Sequence, residues 1–246
     1  MTPSEQAQTL ENHHSLPAGS EERFNGFGVM GLPFSSGHVL ALRRFMASSV
    51  GQGYTSVWHR TPDKTWTFYA TVEPRCSCTR YFGQQATRAL VTPINIKWLD
   101  NFSFEVTIES ASLYWFVRVT ATPATRVLNL IGQVLPQSAW KNELVLKLMG
   151  KVAGAALGLQ QVGLTGVVPN GQHFLANPKI IYAVQESQAT LAGEDLGKPL
   201  PLPEQAHLAD FWIPQKGILA FGQSYFEVFD PHKHSAATTD NYTAAA

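Results

Sequence analysis

The stretch Phe102-Ser103-Phe104-Glu105-Val106-Thr107-Ile108-Glu109 alternates apolar and polar residues without a break. Successive side chains of a strand point to opposite faces, so this period of two marks a half-buried antiparallel strand. Its core face would carry Phe102, Phe104, Val106 and Ile108. Residues 94–98 and 113–121 are apolar runs at hairpin distance on either side and are its expected partners.

Working outward, residues 54–60 and 65–72 are aromatic and β-branched runs separated by Thr61, Pro62, Asp63 and Lys64, which is turn chemistry. With Arg60 opposite Thr65, one face carries Val57, His59, Trp66, Phe68 and Ala70, and the other Ser56, Trp58, Thr67 and Tyr69. The first set is the expected core face. Asn170-Gly171 lies between residues 164–168 and 173–176 and predicts a tight hairpin, because both residues tolerate positive φ. Further strands are expected at 38–47, 179–184, 188–192 and 217–228, about ten in all.

Helix grammar is concentrated in one place. Thr122 precedes Pro123 as an N-cap before a first-turn proline, an apolar series follows to Leu135, and Pro136 ends it. Ser138 would cap a second helix over 139–157, with Gly158 placed to end it in a left-handed conformation. Shorter helices are expected at 84–90 and 203–211. The spacing therefore predicts a mainly β domain over 23–231 with a helical insertion at 122–158, flanked by a disordered N-terminal segment (1–22) and a disordered tail (232–246). So many short strands favour an antiparallel barrel or sandwich.

Charged residues make up only 15% of the 246, while 44% are apolar, so much surface is available to bury or to line a pocket. Lys plus Arg equals Asp plus Glu at 18 each. No global field favours phosphate, and no basic block interleaved with aromatics occurs, which argues against a nucleic-acid partner. Residues 1–22 lack the basic start and apolar core of a secretory signal, and no apolar run reaches the roughly 20 residues of a membrane span. A cytoplasmic location is the expectation.

Cys76 and Cys78 are too close in the chain for a mutual disulfide to be expected, and no nearby His or Cys completes a metal set. No dinucleotide, P-loop, zinc-protease or serine-hydrolase motif is present, so no cofactor or metal is called for. His59 on an inward strand face would be desolvated and neutral, a usable proton shuttle or simply a core histidine. His173 on the Asn-Gly turn and Asp210, beside Phe211 and Trp212, complete the candidate catalytic set. Trp58, Trp66, Tyr69, Trp115, Arg118 and Asn177 are the candidate ligand contacts. Gly150, Gly154 and Gly158 repeat at a spacing of four, which permits close packing of the second helix on a neighbour, a lid, or docking on a lipid surface.

Residues 53–71 (GYTSVWHRTPDKTWTFYAT), 164–178 (LTGVVPNGQHFLANP) and 210–227 (DFWIPQKGILAFGQSYFE) resemble an uncharacterised bacterial protein family. More distantly, the aromatic strand, charged turn and aromatic strand are similar to the lipocalin-like carotenoid hydratase (hydroxyneurosporene synthase) family. That resemblance implies an antiparallel lipocalin-like β-barrel and an apolar, isoprenoid-like ligand, and it carries over no catalytic residue.

Two functions compete at this point. One is binding of a small hydrophobic molecule, a lipid or isoprenoid-like compound, inside the barrel. The other is a cofactor-free hydratase, isomerase or cyclase acting on an apolar substrate, with His59, His173 and Asp210 as acid and base; these would have to converge in one cavity. An interaction scaffold built on the helical hairpin would instead need a large exposed apolar patch on those helices.

Overall fold

A computed structural model describes residues 1–236 and the backbone of 242–244. Helix α1 (Pro3–Asn12) leads into strands β1 (Glu22–Val29), β2 (Leu32–Pro33), β3 (Val39–Ser48), β4 (Tyr54–Arg60) and β5 (Trp66–Ala70). The short helix α2 (Thr79–Phe82) precedes β6 (Arg88–Val91), β7 (Asn95–Trp98), β8 (Ser103–Ile108) and β9 (Leu113–Thr120). Helices α3 (Pro123–Val134) and α4 (Glu143–Leu157) follow, then β10 (Thr165–Val167), β11 (His173–Leu191) and β12 (Glu194–Asp195). The chain continues through β13 (His207–Leu208), β14 (Phe211–Trp212) and β15 (Ile218–Phe226) to β16 (Tyr242–Ala244).

The main sheet runs β16-β6-β5-β4-β3-β1-β15-β11-β9-β8-β7. It is mixed rather than wholly antiparallel, because β6 pairs in parallel with both β5 and β16. It is also open: among the described residues no ladder joins β7 to β16. The product is a curled half-barrel. The long strand β11 makes the corner, pairing with β15 through its first half and with β9 through its second. Register shifts between Pro178 and Ile180 and between Val184 and Glu186 bend it, and Pro178, which has no N–H for a ladder, sits at the first of these.

The curl brings Phe104, Val106, Trp115 and Val117 of β8 and β9 into one cluster with Leu40, Leu42 and Val57 of β3 and β4, strands far away in the sheet order. The concave interior between these strands is thus filled with side chains. The convex back carries a second core: Phe24, Phe45, Trp58 and Phe68 under a cover that includes Cys78, Phe82 and Ile213. Beside it, Ile181, Ile218 and Ala220 of the sheet meet Leu128, Leu157 and Leu159 from the helical insertion.

The strand that opened the reading behaves as expected at its centre, since Phe104, Val106 and Ile108 are fully buried and β7 and β9 are its neighbours. Phe102, however, lies outside the ladder and is exposed, while Glu105 is half-buried and Glu109 exposed. The β4–β5 hairpin differs by one residue: Arg60 pairs with Trp66, not Thr65. The turn is longer because Lys64 takes positive φ (70°) and the Thr61 N–H donates to the Thr65 carbonyl. The slip regroups every side chain. Trp58, Trp66 and Phe68 face the convex core, while Val57, His59 and Tyr69 turn to the concave side.

Other expectations are corrected by local contacts. Residues 3–12, expected to be loose, form α1, closed by a Thr2/Glu5 capping box and anchored by buried Ala7 and by Gln6, whose Nε2 donates to the Tyr182 hydroxyl (3.0 Å). Residues 84–90 and 203–211 form no α-helix; in the first, residues 84 and 85 end a single 3-10 turn (Gly83–Gln85), and 88–90 enter β6, whose ladder with β5 outweighs helix propensity. The second contains β13 and the turn into β14. The second inserted helix starts at Glu143, capped by Asn142 instead of Ser138, and Gly158 ends it with φ 64° as expected. Of the tail expected to be disordered, residues 237–241 and 245–246 lie outside the described residues. No helix among the described residues is long and apolar enough to cross a membrane.

Candidate functional site

Strand β3 contains two consecutive arginines in an otherwise apolar run, and alternation sends them to opposite faces. Arg44 points to the concave side, where Glu11 of α1 receives it in a two-pronged pair (2.8 and 2.7 Å). Arg43 points to the convex side with Val39, Ala41 and Phe45 and is 5% exposed.

No carboxylate neutralises Arg43 among the described residues. Its Nη1 donates to the carbonyls of Val29 (2.7 Å) and Leu42 (2.8 Å), and its Nη2 donates to Met30 (3.2 Å). A guanidinium has five N–H donors, so Nε and one Nη2 proton are left over. The cation lies 4.7 Å from the centre of the Trp58 ring and 5.6 Å from that of Phe211. Burial pulls its pKa down to about 10, which still leaves it charged at neutral pH. Behind it, the Cys78 thiol lies 3.2 Å from the Tyr54 hydroxyl and 3.5 Å from Ser56 Oγ, and burial pushes both the thiol and the Tyr54 phenol up. An isolated buried cation is costly unless something of opposite charge is supplied.

Arg43 also lines a cavity of about 340 Å³ between the convex back of β1, β11 and β15 and the helices α3 and α4. The wall is almost entirely apolar, including Met30, Leu128, Met149, Leu159 and Trp212. Asn129, Asn177 and Gln223 supply the few side-chain amides. Asn129 is fixed by donating to the Ile181 carbonyl (3.0 Å) and accepting its N–H (2.8 Å). The Asn177 amide nitrogen donates to the Trp140 carbonyl (3.0 Å). A half-open apolar slot with one unneutralised cation matches an amphipathic anion.

A second depression, about 640 Å³, opens under α1 between β7 and strands β3 and β4. Its polar lining includes Arg44 and Glu11, which neutralise each other.

Of the residues singled out in the sequence, Asn177 lines the convex cavity. His59 hydrogen-bonds to His38 on the other side of the sheet (2.8 Å between ring nitrogens), and burial lowers its pKa to about 4. His173 is near Thr165 Oγ1 (3.3 Å) and Glu143 (3.5 Å). Asp210 is exposed, its Oδ2 accepting the Val167 N–H (2.8 Å). No hydrogen bond or ion pair joins these three, and none lines the cavity. Trp58 and Trp66 are packed in the convex core, with Trp58 beneath the guanidinium of Arg43; Tyr69 and Trp115 are packed in the concave core. Arg118 is exposed between Asp100 and Glu186, both 3.9 Å away. Sequence reading passed over Arg43, although the paired arginines on an alternating strand carried the signal that one had to be buried.

No family model matches the chain, and no curated protein matches it. Among solved structures it is similar to acetoacetate decarboxylase from Legionella pneumophila subsp. pneumophila str. Philadelphia 1, at 11% identity over 93% of this chain and 95% of that one, with a TM-score of 0.42.

Proposed function

We propose that the protein binds a small amphipathic anion, an apolar chain or isoprenoid-like body ending in a carboxylate, in the convex cavity. The observation that carries the reading is Arg43: a buried, charged guanidinium with donors to spare and no carboxylate of its own, set in the wall of an apolar slot. The sheet back and the two helices exclude water from the chain of the ligand, while Arg43 receives its head. In such a setting a charge-assisted hydrogen bond is worth about 1.5–3 kcal/mol, or roughly tenfold to a hundredfold in affinity.

The site differs from the one a lipocalin would use, because it lies on the outside of the curl. A cofactor-free acid/base enzyme would place a titrating His, Asp or Glu beside the bound molecule. The cavity wall holds amides, one hydroxyl and a permanent cation, which suits holding an anion better than moving a proton.

The test is binding of a long-chain fatty acid and of the matching fatty alcohol, followed by the fluorescence of Trp212 in the cavity wall. The carboxylate should bind at least tenfold more tightly than the alcohol to the parent, and the difference should vanish in Arg43→Gln. Equal binding of acid and alcohol by the parent would sink the reading.

A further inference from the structure

Helix α3 carries apolar residues on both sides, Leu128 toward the sheet and a larger set toward solvent. Thr125, Asn129 and Gly132 face the sheet, while Val127, Leu130, Ile131 and Val134, spaced three and four apart, form one stripe facing solvent. Leu130 is 65% exposed and Val134 80%. Helix α4 adds a second stripe, Leu144, Leu148 and Val152, with Leu144 77% exposed. A surface helix normally turns its apolar side inward, and a contiguous exposed patch of this kind marks a partner.

Two observations say what the partner is. The first is charge: Lys151 and Lys147, the latter 3.6 Å from Glu143, lie one helical step from the α4 stripe and Arg126 borders that of α3, which leaves a net excess of two positive charges on these two helices. The chain as a whole has no net charge, so this basic rim is local. The second is continuity: Ile131, Leu148 and Val152 belong both to the exposed face and to the wall of the cavity, so the apolar slot and the apolar surface form one region. Apolar residues rimmed by Lys and Arg on helices lying flat are the chemistry of an interfacial anchor.

We propose that the α3–α4 face docks on the surface of an anionic lipid bilayer, bringing the cavity to the medium in which its ligand is dissolved. The docking deepens the carboxylate-binding reading of the cavity and rests on it for its purpose, though not for its occurrence. The stripes would sink to the level of the acyl boundary while the lysines meet the headgroups, each contributing about 1 kcal/mol.

The experiment is co-sedimentation of the full chain, stripped of bound lipid, with phosphatidylcholine vesicles with and without phosphatidylglycerol. Binding should require phosphatidylglycerol and weaken as salt is raised. Leu130→Asp combined with Leu144→Asp, and separately Lys147→Glu combined with Lys151→Glu, should each weaken it about tenfold or more. All four side chains are exposed, so these variants should melt with the parent. Arg43→Gln should sediment with the vesicles as the parent does while losing its preference for a dissolved carboxylate, which keeps failure of the docking and failure of the cavity reading apart. The docking is refuted if the parent stays in the supernatant with both vesicle types, or if neither double variant weakens its binding. A parent that instead dimerises through this face, and becomes monomeric as Leu130→Asp/Leu144→Asp without binding vesicles, would assign the face to a second copy.

Discussion

His38 and His59 meet edge to edge, with ring planes 9° apart and the Nδ1 of His38 2.8 Å from the Nε2 of His59. Only one proton fits between those two nitrogens, so the contact requires at least one neutral ring. Burial, and for His59 the neighbouring imidazole, lowers both pKa values, that of His59 to about 4. An unfolded histidine takes its proton near pH 6.5, so the unfolded chain binds more protons below that point. Stability is therefore fully present above about pH 6.5 and declines as the pH falls toward about 4. The loss attributable to His59 is about 3 kcal/mol at most. Urea unfolding at pH 7 and pH 4.5 should show the decline in the parent and a shallower one in His59→Gln; a parent profile flat across this window would show that the pair is not held neutral.

The start of β8 at Ser103 separates two phenylalanines two residues apart. Phe104 is fully buried against Trp98, ring centres 4.9 Å apart, whereas Phe102 is exposed. Phe104→Ala should cost about 3–5 kcal/mol and Phe104→Asp should unfold the domain. Phe102→Ser should change stability by roughly 0.5 kcal/mol or less. Equal losses at the two positions would contradict the register.

What was legible in the sequence was whatever has a local period. The alternation through Ile108, the hairpin around Asn170-Gly171, the Thr122-Pro123 start and the Gly158 stop are each encoded within a few residues, and the chain adopts them, although the hairpin loop spans 168–172 and only Gly171 takes positive φ. The hairpin register after Arg60 depended on the conformation of one lysine, which composition does not specify. The parallel placement of β6 joins segments through a loop and leaves no periodic trace. The cavity is less legible still, because β3, β11, β15, α3, α4 and the turn around Trp212 meet there only after the sheet has curled. Half of its chemistry was nevertheless written in Arg43-Arg44, where strand geometry alone demands that the two cations have different surroundings.

Cys76 and Cys78 are both free thiols, but only Cys78 is fully enclosed, among Tyr54, Ser56 and Trp58. Burial raises its pKa, and a thiol attacks as the thiolate. Iodoacetamide at pH 8 should label Cys76 in the folded protein and Cys78 only after denaturant is added. Reductant should leave the melting temperature unchanged. Labelling of Cys78 at the same rate as Cys76 would mean that the cover over the convex core opens readily.

Gly150 and Gly154 let α4 lie directly on the backbone of the segment that follows it, since a Cβ at either position would collide with the carbonyl oxygens of Val162 and Gln160 respectively. Alanine is the better helix former by about 1 kcal/mol, so an unconstrained site would gain from the change. Here Gly150→Ala and Gly154→Ala should each destabilise the protein and loosen the roof of the cavity, seen as faster proteolysis within 135–160. A gain in stability from either would show that the helix does not depend on that close approach.

The pH dependence of ligand binding follows from the same cation that motivates the site. A carboxylic acid ionises at roughly pH 4.5, near glutamate, and Arg43 loses its proton at about 10 because it is buried. Attraction between head and guanidinium exists only while both are charged. Affinity should rise through pH 4–5, stay level across the neutral range and fall again as the pH passes about 10, where an exposed arginine would still hold its proton. The matching alcohol should show neither limb. Because ligand bound only to the folded state stabilises it, a carboxylate at about a hundred times its Kd should add about 2.7 kcal/mol at pH 7. At the same concentration that increment should shrink to about 0.4–1.4 kcal/mol in Arg43→Gln, whose affinity is tenfold to a hundredfold lower. If the alkaline limb is missing in the parent while acid and alcohol still differ, the head is held by a group other than Arg43, and the basic rim of α4 becomes the place to look.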